Sequence, residues 1–477
     1  MNLDRDLLAI QQMRNAVEQA WEAQQQLRRY TQEQIDRIVA AMARAGEQAA
    51  VRLAELAVQE TGMGVVEHKT IKNLLATRDL YNHIKDMKTV GVIRRDEATK
   101  VVEIAEPVGV IAALVPTTNP TSTAMYKAII AVKARNAIVM SPHPRAIRCT
   151  CEAARVVAEA AVEAGAPEGL IHCLETVDMA ATNELMRHPK VSLILATGGA
   201  GMVKAAYQSG TPALGVGPGN VPAFIERSAD VPKAVSYVVA GKTFDNGTIC
   251  ASEQAVIADE PIAEQVMSEL RRQGGYFLSP EQVDRLSAVA FRSNGAVNPA
   301  IVGQPATRIA EMAGIDVPPG TRVLVAPLEG VGPQYPLSRE KLSPILAFYT
   351  APDWRAACER CIELLNMGGI GHTLAIHSRN EEVIMAFAME KPVFRIVVNT
   401  PATHGAVGVT TGLAPALTLG SGTWGGSATS DNVGPLHLIN IKRLAYGVRE
   451  PEGCCAAPQE PDIERIVRAV LAQLNTR

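Results

Sequence analysis

PVGVIAALVPTTNP, residues 107–120, decides the fold. Its apolar run from Val108 to Val115 is rich in β-branched residues and bounded by turn formers, so it reads as a buried strand. Thr117-Thr118-Asn119-Pro120 then reads as a loop, with a helix from Ser122. The same pattern repeats downstream. Ala137–Met140 is a second strand, followed by Ser141-Pro142-His143-Pro144 and a helix to about Ala164. Leu170–Leu174 is a third, with a helix at Met179–Arg187. Val191–Ala196 is a fourth, ending in Thr197-Gly198-Gly199-Ala200-Gly201. Strands alternating with helices predict an α/β fold with a parallel sheet covered on both faces. Ligands bind at the carboxyl ends of such strands, so the loops at Asn119, His143 and Gly198 are expected to face one crevice.

Upstream, Leu7, Ile10, Met13, Val17 and Trp21 follow a helical stripe. Thr31 with Gln34 suggests the capping box of a second helix, running to about Gln59 and stopped near Gly62 and Gly64. Val90–Glu106 alternates weakly and predicts a hairpin. At 477 residues the chain exceeds one simple core, and two or three domains are expected. Net charge is −3 and no basic block stands out, which speaks against nucleic acid as a partner. No apolar run reaches spanning length, and the N-terminal MNLDRDLLAIQQ lacks an apolar signal core, so neither membrane nor secretion is expected. The eight cysteines form no disulfide framework for a chain this long. Cys358 and Cys361 fall in the helical-looking Trp354–Leu365 without a second pair at zinc spacing. They read as structural thiols, as do Cys149 and Cys151; no metal site is expected, and a reducing cytoplasm fits.

One cysteine stands apart. In KTFDNGTICASEQ, Lys242–Gln254, Cys250 follows an Asn-Gly turn, and Gly247 lets the backbone bend just before the sulfur. Such a bend can present a thiol to a substrate. The plainer reading is a small buried hydrophobe, and local chemistry alone leaves both open.

Lys242–Gln254 resembles the nucleophile segment of CoA-acylating aldehyde dehydrogenases, which oxidise an aldehyde to an acyl-CoA. The resemblance runs from about Asp6 to Glu450 and is carried by several separate motifs. It implies an aldehyde dehydrogenase-like fold, with a Rossmann-like cofactor domain at 1–225 and an oligomerisation hairpin at about 90–106. An α/β catalytic domain at 226–425 would carry the nucleophile. Residues 426–450 would return to the first domain, and Leu436–Arg443 would complete a small β oligomerisation element.

The implied cofactor is NAD, with NADP left open. Gly198-Gly199-Ala200-Gly201 is not a G-x-G-x-x-G, since Lys204 holds the last glycine position. The resemblance nonetheless sets Thr118, Gly198, Gly199 and Gly217 against the cofactor. It also sets Pro142 and His143 near the adenine ribose, where many relatives carry a lysine and this chain has Ser141. His143 reads equally as a surface loop histidine. Glu340-Lys341-Leu342-Ser343-Pro344 resembles the family's E-x-F-G-P, with leucine for the aromatic, and implies that Glu340 holds the nicotinamide ribose hydroxyls. Asn119, with the backbone N–H of Cys250, is implied as the donor pair for the oxyanion. Val216 takes the place of the glutamate that activates water in hydrolytic relatives, and no acid lies between Thr211 and Phe224. That absence points to coenzyme A as acyl acceptor, because a thiolate needs less help than water. Ser427–Asn432 resembles a segment near the acyl and CoA pocket.

The tail is separate. Pro451–Pro461 reads as a linker, and Ile463, Ile466, Val467, Val470, Leu471 and Leu474 share one helical face. So short a helix is marginal alone and calls for a partner surface. Docking on the protein's own body or oligomer and binding to a membrane surface are the alternatives. Residues 462–477 resemble the helices that target enzymes into bacterial microcompartments, implying a shell or cargo partner and a place in a microcompartment lumen. The resemblance to the propionaldehyde and acetaldehyde enzymes of such compartments implies a short-chain aldehyde, propionaldehyde first, and a homodimer or homotetramer. A hydrolytic or phosphorylating relative and a catalytically idle compartment scaffold are the rival readings.

Overall fold

The computed structural model describes residues 4–449 and 462–474. The chain opens with helices Arg5–Leu27 (α1), Gln32–Gln48 (α2), Ala50–Thr61 (α3), Val66–Leu74 (α4) and Leu80–Ile84 (α5). The Thr31 hydroxyl accepts from the Gln34 N–H and the Gln34 side chain accepts from the Thr31 N–H, the expected capping box. The helix expected to run on to Gln59 is instead kinked at Ala49, whose ψ of −1 separates α2 from α3 although its N–H still donates to the Ala45 carbonyl. Gly62, in the left-handed region, then ends α3.

Gly91–Asp96 (β1) and Val101–Pro107 (β2) form the expected antiparallel hairpin. Val110–Val115 (β3) follows, with all six residues buried, so both faces of this strand are covered. Helices Pro120–Lys133 (α6), Ile147–Glu163 (α7), Met179–Arg187 (α8) and Ala200–Gln208 (α9) alternate with strands Ala137–Pro142 (β4), Ile171–Cys173 (β5), Val191–Thr197 (β6) and Ala213–Val216 (β7). The sheet is parallel, in the order β5-β4-β3-β6-β7. The order reverses between β3 and β6, the switch point where α/β sheets bind ligands.

Val221–Ile225 (β8) lies in a different sheet, paired with Glu253–Asp259 (β9). The change of sheet therefore falls between Val216 and Val221. Its pairing gives β8 an interior place in that sheet, and all five of its residues are buried. That sheet has seven strands, adding Gly275–Phe277 (β10), Val323–Pro327 (β11), Ile345–Ala351 (β12), Leu374–His377 (β13) and Ile396–Val398 (β14). Its order is β10-β11-β12-β9-β8-β13-β14, and every pairing is parallel. Val231–Thr243 (α10) and Ala263–Arg272 (α11) pack on one face. Pro280–Ala290 (α12) and Ala306–Met312 (α13) pack with residues of β10, β11 and β12 at that end of the sheet. Trp354–Asn366 (α14) and Glu381–Glu390 (α15) cover the other face and bury Cys358 and Cys361.

Ala402–Ala406 (α16) precedes the glycine-rich run, and Ile439–Ala445 (β15) pairs antiparallel with β2 from Ile439↔Pro107 to Ala445↔Val101. The three-stranded β1-β2-β15 element exposes Val92, Ile441 and Leu444. The expected linker Pro451–Pro461 and the cysteines Cys454 and Cys455 lie outside the described residues. Ile463–Leu474 (α17) forms as a helix with no buried residue. Among the described residues no helix is long and apolar enough to cross a membrane.

Candidate active site

The carboxyl ends of β3, β4, β6 and β7 face the amino ends of β9 and β12 across a cleft of about 480 Å³. Thr118, Asn119, His143, Gly198, Gly199, Gly217, Cys250 and Glu340 all line it. Pro142 does not; it ends β4 as a buried residue beneath the loop. Ser141 is also turned inward, its hydroxyl 2.9 Å from that of Thr182. Val216 lines the cleft, and Glu340 is the only carboxylate among the lining residues.

Cys250 sits on a turn ahead of β9. Asp245, Asn246 and Gly247 hold successive positive φ values of 51°, 51° and 77°, so the Asn-Gly bend read in the sequence is real. Gly219 passes directly behind the nucleophile: a Cβ there would lie 2.1 Å from the Cys250 carbonyl oxygen, so no other residue fits without moving the turn. The thiol is half-buried. Burial, then the nearby Glu340, push its pKa up to about 12, against the pull of Arg395 and Lys72. Glu340 accepts from the Gly219 N–H at 3.1 Å, and burial raises its carboxyl to about 7.

The first domain supplies groups that fit a dinucleotide. Gly199 begins α9 with no side-chain cap, leaving the first N–H groups of the helix free for a pyrophosphate at the cleft wall. His143 lies exposed on the rim, accepting from the Arg145 N–H at 3.1 Å; burial, then Arg145, lower its pKa. Glu340 faces this wall as a two-oxygen acceptor suited to a ribose diol.

Sequence reading missed the cluster beneath Cys250. Asp245 is fully buried and accepts from Lys69 Nζ at 2.9 Å, Lys72 Nζ at 2.5 Å, the Thr248 hydroxyl at 2.6 Å and the Val65 N–H at 2.8 Å. Burial acts to raise its carboxyl, but the two lysines and hydrogen bonds outweigh this and hold it below the usual range. Lys69 and Lys72 come from α4. Two lysines one turn apart, both buried, are a signal that composition hides, since lysine is seldom fully buried without a partner. His372, pushed down to about 3 by burial and then by Arg395, is a neutral imidazole packed behind Gly219. Ser427–Asn432 is tied to Arg395, which donates to the Ser430 carbonyl at 3.0 Å. No residue of that segment is among the cleft lining. Among the described residues no group of three or more His, Cys, Asp or Glu side chains is placed to hold a metal ion.

Comparison with known proteins agrees with the geometry. A profile of the aldehyde dehydrogenase family matches residues 8–274. The bifunctional aldehyde-alcohol dehydrogenase AdhE of Escherichia coli is 48% identical over 434 residues, covering 90% of this chain and 49% of that protein. This chain thus spans about half the length of the curated relatives it matches first. An acetylating aldehyde dehydrogenase from Geobacillus thermoglucosidasius superposes with a TM-score of 0.93 at 55% identity, covering 94% of this chain and 99% of that one. A Rhodopseudomonas palustris propionaldehyde dehydrogenase, solved with bound CoA and an acylated cysteine, gives 0.83 at 28% identity, covering 91% and 97%. The chain belongs to the aldehyde dehydrogenase family, and its likeness is to acylating members of that family.

Proposed function

We propose that this chain oxidises a short-chain aldehyde, propionaldehyde first, with NAD+ and coenzyme A to an acyl-CoA through an acyl thioester on Cys250. The observation that carries the reading is the cleft itself. A cysteine on a strained turn shares its walls with Asn119 and a glycine-rich cofactor cradle, and Val216 stands where a water-activating acid would be needed.

In this reading Cys250 loses its thiol proton to solvent and attacks the aldehyde carbonyl, forming the S–C bond as the C=O π bond opens to an oxyanion. The Asn119 side-chain amide and the Cys250 N–H donate to the oxyanion. The nicotinamide, when bound, supplies the hydride acceptor. As the C–H bond breaks, the C=O reforms and leaves an acyl-Cys250 thioester. Glu340 is then engaged with the ribose, so no free carboxylate among the lining residues remains to activate water. The CoA thiol attacks the thioester carbon, its proton passes to solvent, and Cys250 departs as thiolate. The R. palustris propionaldehyde dehydrogenase, with CoA and an acylated cysteine, supports both the acceptor and the intermediate. The preference for NAD over NADP belongs to the same proposal.

The exposed β1-β2-β15 face supports a homodimer or homotetramer. The apolar face of α17, with Ile463, Ile466, Val467, Val470, Leu471 and Leu474 all exposed, supports a role as the peptide that recruits the enzyme into a microcompartment. Trapping tests the chemistry. With propionaldehyde and NAD+ but no CoA, the peptide carrying Cys250 is expected to gain one propionyl group by mass spectrometry, and CoA should remove it. An enzyme that turns over without ever carrying that group would refute the reading.

A further inference from the structure

Lys72 lies on α4, 173 residues from its ion-pair partner Asp245, and is fully buried. Its ammonium has three donors and meets three well-placed acceptors: Asp245 Oδ2 at 2.5 Å, Asn119 Oδ1 at 2.6 Å and the Thr248 carbonyl at 3.0 Å. One turn earlier, Lys69 donates to the same Asp245 oxygen at 2.9 Å and to the Thr118 carbonyl at 2.9 Å. The two lysines therefore tie the loop after β3 to the turn that carries Cys250. A buried ion cluster is a poor source of stability, so its geometry asks for another account.

We propose that Lys72 is a positioning residue for Asn119, holding the side-chain oxygen so that the amide nitrogen is presented to the oxyanion formed at Cys250. This rests on the reading of Asn119 as an oxyanion donor. The chemistry of the pair fixes the orientation. An ammonium donates and never accepts, so the amide atom 2.6 Å away must be the oxygen. Turning the amide over would set its N–H groups against the three N–H groups of Lys72. With Lys72 absent, Asn119 keeps one side-chain contact, its amide nitrogen 3.2 Å from the Thr118 hydroxyl, which tolerates either orientation because a hydroxyl both donates and accepts. Two ammoniums against one carboxylate also leave the cluster with a surplus positive charge beside the site where negative charge develops.

A double-mutant cycle tests the assignment on the full chain, with kcat and KM for propionaldehyde read separately and folding followed by thermal melting. Asn119→Ala should lower kcat about 100-fold. Lys72→Met should lower kcat by about the same factor with KM little changed, while the double variant falls no more than about threefold below Asn119→Ala. Lys72→Arg guards against a folding failure. Its larger planar head keeps the charge beside Asp245 but moves the donor, so it should lose about tenfold in the presence of Asn119 and nothing further in the Asn119→Ala background. Losses that multiply in the double variants would overturn the proposal, placing Lys72 on Cys250 rather than on Asn119. Lys72 variants as active as wild type, beside an impaired Asn119→Ala, would overturn it too. If Asn119→Ala itself keeps wild-type kcat, the oxyanion reading fails first, and this inference fails with it.

Discussion

At the residue scale catalysis turns on the state of one sulfur. Burial and then Glu340 hold the Cys250 thiol near 12, so the free enzyme carries it protonated at neutral pH. Alkylation of Cys250 by iodoacetamide is therefore expected to accelerate about tenfold per pH unit from pH 7 to 10, without levelling off. A plateau below pH 8 would show a thiolate already formed and contradict this environment. Val216 carries the second claim. Val216→Glu places a carboxylate in the cleft, and CoA-independent formation of free acid should rise about tenfold or more, with some loss of thermal stability from burying the acid. An unchanged requirement for CoA would mean that something other than the missing acid excludes water. Family resemblance, more than residue chemistry, pointed to Cys250, Asn119 and Glu340, because their neighbours in sequence form recognisable motifs. Lys72 and Asp245 were invisible there. Their meaning lies in a contact across 173 residues, and no local pattern encodes a partner that far away.

At the scale of elements, four of the five strands of the first sheet were legible because each is a short, nearly continuous apolar run between turn formers, while the four-residue β7 was missed. The capping box at Thr31 was legible for the same local reason. Two boundaries were not. The kink at Ala49 leaves no mark, since alanine is an excellent helix former and the change is one of backbone geometry. Which sheet β8 joins is decided by its pairing with β9 and β13, not by anything within Val221–Ile225. The turn between β7 and β8 matters to chemistry as well as topology. Gly219→Ala would drive a Cβ to 2.1 Å from the Cys250 carbonyl oxygen, so the nucleophile turn must shift. A displacement of that order should cost kcat about 100-fold while the overall fold survives. Wild-type turnover in this variant would show that the turn is looser than its packing indicates.

At the scale of the whole molecule, two parallel sheets meet with opposite ends facing, and in the cleft between them the glycine loops and the cysteine turn converge. The tail helix stands apart from that machinery, with six large apolar side chains exposed. Fully burying each would contribute about 1.5–3 kcal/mol, enough together for specific capture by a partner surface. Truncation after Glu450 is accordingly expected to leave kcat and KM within twofold of wild type while abolishing co-purification with microcompartment shells. Reduced catalysis in the truncated enzyme would assign the helix to the enzyme's own body or oligomer.

In the proposed reaction CoA, not water, takes the acyl group from Cys250. The most direct measurement is NADH formation from propionaldehyde and NAD+, with and without CoA, on the wild type and on Cys250→Ala. Strong dependence on CoA is expected, with acyl-CoA as product and no turnover by the variant under either condition. Equal rates without CoA, with free acid accumulating, would contradict it.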